Sequence, residues 1–168
     1  MRAPSRIAIC CLLLLLASLC PPMHLGAEGS ESALVIENSQ TGYHVELTLN
    51  DELGLTIRFF HSYDRQWVEE SFTIDHGRFA PSEVLFNSDS YDYRHQRYRC
   101  RQTVERNQLH LLGIKPRPSD VLQAIVTRVA YTRPQQLIIY GSGGSRSYAF
   151  TEWGRPGQRL VFSIMKSK

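Results

Sequence analysis

The 168-residue sequence predicts an all-β fold: two antiparallel sheets forming a sandwich or barrel-like double sheet of about nine or ten strands. Three observations carry that expectation. Apolar and polar residues alternate with period two over many short segments, as they do in strands with one buried face. Gly, Pro, Asn and Asp punctuate these segments at hairpin spacing. With 42% apolar residues the chain has enough material for one core. No repeat or low-complexity linker divides it, so residues 28–168 read as a single domain.

The first 27 residues read differently. Arg2 and Arg6 precede a 13-residue apolar run, Ile7 to Leu19, which includes Leu12 to Leu16 and is stopped by Pro21 and Pro22. This is the architecture of a cleaved signal peptide, and the run is shorter than the roughly 20 residues a membrane helix needs. Cleavage is expected after Ala27, with Leu25 and Ala27 at −3 and −1; a lipid anchor and an uncleaved anchor are the alternatives. A lipoprotein anchor would make Cys20 the first mature residue, but Leu19 is large where that processing takes a small side chain. No later stretch is long and apolar enough for a transmembrane helix, so the mature chain is expected to be soluble and extracytoplasmic, in a periplasm or its equivalent.

Removing the leader also removes Cys10, Cys11 and Cys20, leaving Cys100 and no possible intrachain disulfide. A disulfide-free exported domain suits a bacterial periplasm. Basic residues fall from 19 to 17 against 16 acids, a mature charge of about +1. That balance gives no general attraction to nucleic acid or anionic membrane.

The strands follow in order. Val45, Leu47 and Leu49 alternate with polar neighbours, as do Leu55, Ile57 and Phe59, then Val68, Phe72 and Ile74, and finally Leu160, Phe162 and Ile164. Short polar turns are expected at 50–54, 63–66, 75–77, 132–136, 141–144 and 154–158. Residues 120–130 permit two readings. Ser119 could cap a helix, or Val121, Ile125, Val129 and Tyr131 could share a strand face that turns at Pro134 into Leu137–Tyr140. The β-branched content favours the second, as a hairpin.

The densest chemistry lies at His61-Ser62 and Glu69-Glu70. Pairing around a loop at 63–66 sets Ser62 opposite Trp67 and Ile57 opposite Phe72. That register turns His61 and Glu70 to the apolar face as diagonal neighbours, with Ser62 and Glu69 on the other face. An ionisable pair against a core needs mutual satisfaction or a ligand, which makes these four residues candidate binding residues. A hydrolase reading would use His61 and Glu70 with Ser62, although adjacent strand residues face opposite ways. Further on, Arg97, Arg99 and Arg101 line one strand face, with Tyr98, Cys100 and Val104 opposite. This is a candidate surface for an anionic partner, or a charged edge that resists aggregation. His44, His61, His76, His95 and His110 are scattered, and no CxxC or phosphate loop is present. No metal or cofactor is therefore expected, and Cys100 reads as inward and inert.

The run His61-Ser62, Val68-Glu69-Glu70, Phe72, then His76-Gly77 and a long strand to Phe86, resembles the bacterial domain-of-unknown-function 1850 family. The likeness is specific over residues 57–88 and extends loosely from Val45 to Ile164. The chain departs at Ser88-Asp89-Ser90-Tyr91-Asp92-Tyr93, where that family often has a glycine-rich stretch. Such proteins are often encoded beside TRAP-type transporters of the TAXI kind, which take up small organic anions. The resemblance implies an extracytoplasmic accessory role in solute uptake and supplies no catalytic residues. Three readings therefore stand: a non-enzymatic accessory or binding protein, a small exported hydrolase, and a structural β-sandwich interaction module.

Overall fold

Alternation becomes strand throughout the computed structural model, which describes residues 32–49, 52–63, 65–87, 98–106 and 108–166. The leader, Cys20, Ala27 and Arg97 lie outside the described residues. Eleven strands are present among those described: β1 (Ser32–Asn38), β2 (His44–Leu49), β3 (Glu52–His61), β4 (Gln66–Asp75), β5 (Arg78–Asn87), β6 (Arg101–Glu105), β7 (Gln108–Leu112), β8 (Ala124–Arg128), β9 (Gln136–Gly141), β10 (Gly144–Ala149) and β11 (Arg159–Lys166). The count exceeds the nine or ten expected. The strand after the turn at 141–144 is β10. Its first four residues, Gly144 to Arg146 and Ser147, are exposed, so it carries no apolar rhythm and is held by pairing with β9.

All pairings are antiparallel, in a four-stranded sheet ordered β2-β1-β11-β8 and a seven-stranded sheet ordered β10-β9-β3-β4-β5-β7-β6. The two sheets pack together as a sandwich. Residues 124–128 are strand, not helix, with Ile125 buried. The expected hairpin from β8 to β9 does not form. β8 pairs with β11, whereas β9 lies between β10 and β3 in the other sheet. The connection is a corner, and the buried Gln135 satisfies it: its Oε1 accepts from Ala130 N at 2.8 Å and its Nε2 donates to Arg128 O at 3.0 Å. Tyr131, expected inward, falls beyond the end of β8 and is exposed.

Two apolar clusters result. The larger lies between the sheets and joins Leu34, Ile36, Leu55, Ile57, Phe72, Phe79, Leu137, Ile139, Phe150, Trp153, Leu160 and Phe162. The smaller gathers Val68, Val84, Phe86, Leu109, Leu111 and Ile114, with Tyr98 and Cys100 packed against it. Phe59 touches both. Val104, expected on one face with Tyr98 and Cys100, is exposed on β6, the last strand of its sheet, where no facing layer stands among the described residues.

The β3–β4 hairpin forms, two residues away from the expected register. His61 pairs with Gln66, Phe59 with Val68, Ile57 with Glu70 and Leu55 with Phe72. A two-residue shift leaves every side chain on its face, so apolar parity cannot detect it. Direct cross-strand pairs decide it instead. On the outer face Phe60 meets Trp67, Arg58 meets Glu69 and Thr56 meets Ser71. The ring centroids of the first pair are 5.6 Å apart, edge to face. The hydroxyls of the last pair are 2.7 Å apart. Such pairs contribute roughly 0.2–1 kcal/mol each.

Candidate functional site

The four candidate binding residues do not converge. His61 and Glu70 share the inner face, but the observed register sets them four residues apart along the ladder, about 13 Å. That is beyond the reach of a direct pair. Glu70 is half-buried between Ile57 and Val84, at the junction of the two clusters. Ser62 directly follows His61 and is exposed in the turn. Glu69 points outward, and it leads to the surface where polar groups do collect.

That surface is the outer face of the seven-stranded sheet. Its small floor follows from sequence: Gly54 and Thr56 on β3, Ser71 and Thr73 on β4. A Cβ at Gly54 would stand 2.4 Å from the carbonyl oxygen of Phe72, so only glycine lets the strands approach this closely here. A β-bulge deepens the depression. Ser71 pairs with Glu83 and Phe72 with Pro81, leaving Ser82 as the extra residue. The result is an open groove of about 390 Å³, walled by Glu69, Glu83, Leu85 and Tyr140.

Each wall carboxylate has a nitrogen-bearing side chain beside it. Arg58 Nε lies 3.3 Å from Glu69 Oε1, and the Arg58 guanidinium also stacks on Trp67 at 4.6 Å. His110 Nδ1 lies 3.5 Å from Glu83 Oε1. Arg58 offsets the charge of Glu69, and the His110 ring stands beside Glu83. Among the floor hydroxyls, Thr56 is buried and bonded to Ser71.

A second groove, of about 540 Å³, opens beside the start of β6. Arg99, Arg101 and Lys115 line it, with Cys100, Leu112 and Gly113. Arg99 and Arg101 are exposed while Tyr98 and Cys100 pack against the smaller cluster, as expected for alternating residues. Lys115 joins them through backbone: its N–H donates to Arg99 O at 3.0 Å. No acidic side chain lines this groove among the described residues. Burial pushes the Cys100 thiol above its ordinary pKa, which makes it a poor nucleophile. No group of three or more His, Cys, Asp or Glu suited to a metal ion occurs among the described residues.

Of the residues on this surface, the sequence singled out Glu69, Arg99 and Arg101. Thr56 and Ser71 could have been found from outer-face parity. Glu83, His110 and Lys115 carry no local signal, because strand order and a loop bond bring them in. Compared with family models, with curated proteins and with solved structures, the chain finds no match.

Proposed function

We propose that this chain is an exported, non-enzymatic accessory protein that binds an anionic solute or partner, and that it serves a TRAP-type transporter of the TAXI kind. The observation that carries the reading is the groove where Arg99, Arg101 and Lys115 converge with no lining carboxylate among the described residues. Three cations held close together repel one another, and an anion relieves that repulsion while accepting their hydrogen bonds. The leader motif of Arg2, Arg6 and Leu12–Leu16 supports export. The resemblance over residues 57–88 supports the transporter context. Binding without turnover is supported by the four-residue offset between His61 and Glu70 along the ladder.

Calorimetric titration with succinate, 2-oxoglutarate and citrate tests the anion site. Binding is expected to weaken more than tenfold in the Arg101→Gln, Lys115→Gln double variant. It is also expected to fall as salt rises from about 0.05 to about 0.5 M, since a shorter Debye length screens an exposed site. Anion binding that ignores both changes would refute this assignment. Co-fractionation of the tagged chain with a TAXI-type permease expressed beside it tests the transporter role, and separation of the two would remove it.

A further inference from the structure

The two grooves lie on one face and adjoin. Glu83 on β5 pairs with Leu112 on β7, which pairs with Arg101 on β6, so all three side chains point to the same side. Two strand spacings separate Glu83 from Arg101, about 10 Å between backbones. The loop that carries Lys115 is tied to the bulge that shapes the first groove, because Ile114 N–H donates to Ser82 O at 3.2 Å. A cationic end and a hydroxyl- and carboxylate-lined body thus form one continuous track.

We infer that the ligand is a polyhydroxylated acid, of the sugar-acid class, lying along this track. The inference rests on the anion-binding reading above. The acid group sits among Arg99, Arg101 and Lys115. The hydroxylated body extends toward Glu83 and Glu69, whose oxygens accept hydrogen bonds from ligand hydroxyls. The Thr56–Ser71 hydroxyl pair lies on the floor below. The Arg58 and His110 contacts matter here. Glu69, paired with Arg58, repels a nearby anion less than a bare carboxylate would, and the His110 ring lies 3.5 Å from Glu83. A plain dicarboxylate would leave the first groove unused, and a neutral sugar would leave the second unused.

Titration of the full chain with gluconate, glucuronate, succinate, propionate and glucose, followed by calorimetry and by amide chemical-shift mapping, tests this. Gluconate or glucuronate is expected to bind at least tenfold more tightly than propionate, succinate or glucose, with shifts at both Ser71 and Arg101. The Glu83→Gln variant is expected to lose that advantage while leaving propionate and succinate binding within twofold. The Arg101→Gln variant is expected to weaken every acid. Glu83 is about 41% exposed in its side chain, so the substitution leaves the core intact, and the mapping on the unaltered chain stands independently of either variant. Equal affinity for propionate and gluconate would overturn the inference and leave the anion site standing. Binding of succinate alone would do the same. Failure of every acid to bind would overturn both, and tight binding of glucose alone would replace them with a neutral-sugar site.

Discussion

The two apolar clusters are built from similar residues but enclosed differently. The larger is closed on both sides by sheet. Phe162 of β11 packs against Phe150 at 5.2 Å and Trp153 at 6.1 Å, and β5 reaches across to the segment before β8 through paired bonds of 2.9 Å between Phe79 and Leu122. The smaller spans β4, β5 and β7, and the pieces placed against it include irregular segments at Tyr98, Cys100 and Ile114. Strand-on-strand packing cannot collapse around a lost side chain, whereas a loop can follow it inward. Equal burial therefore need not mean equal contribution to stability.

The sharpest test of that difference is a pair of truncations. Phe162→Ala, at a fully buried site between sheets, is expected to cost about 3–5 kcal/mol and to lower the urea midpoint of the whole domain. Leu111→Ala, fully buried in the smaller cluster, is expected to cost about 2–3 kcal/mol, near the low end for such changes. Hydrogen exchange would show the difference directly. In the second variant β6 and β7 amides should exchange faster while β1 and β11 stay protected. Equal acceleration across both sheets would mean the clusters act as one unit.

A smaller effect is expected at the outer face. Removing the half-exposed Arg58–Glu69 pair should cost about 0.2–1 kcal/mol, as surface ion pairs do. A double-mutant cycle with Arg58→Ala and Glu69→Ala would measure it. A coupling well above that range would show that Trp67 stacking and the ion pair act together.

The smallest concerns Cys100. Its folded pKa is raised by burial, so the folded chain holds the thiol proton more tightly than the unfolded one. That contribution is full below the ordinary thiol pKa and fades as pH rises through the folded value. Denaturation midpoints should therefore drop slightly more on the alkaline side for the parent chain than for Cys100→Ala. Parallel pH profiles would show that the smaller cluster does not exclude water from this sulfur.

The same contrast explains what was legible in the sequence. Residues that alternate against a facing sheet announced themselves: Leu55 and Ile57, and Leu160 and Phe162, all face inward as their spacing requires. Strand identity and facing were therefore readable. Register was not, since a two-residue slip preserves facing and only the pairs Phe60–Trp67, Arg58–Glu69 and Thr56–Ser71 choose between the alternatives. The candidate site was readable only in fragments. Glu69, Arg99 and Arg101 stood out by type, but Glu83 reaches the groove across the bulge at Ser82, and Lys115 reaches the arginines through one backbone bond. Both are long-range facts with no local signature.

The place of β11 has a consequence for synthesis. It lies inside the four-stranded sheet, between β1 and β8, yet spans Arg159–Lys166. The hairpin of β1 and β2 emerges from the ribosome more than a hundred residues earlier and must wait for it. Until then one sheet has no centre, the larger cluster has no lid, and closing that loop is entropically slow. The seven-stranded sheet needs none of β11, so the two sheets differ in how early their partners are made. The early strands β1 and β2 meanwhile carry an unpaired edge and apolar residues open to aggregation.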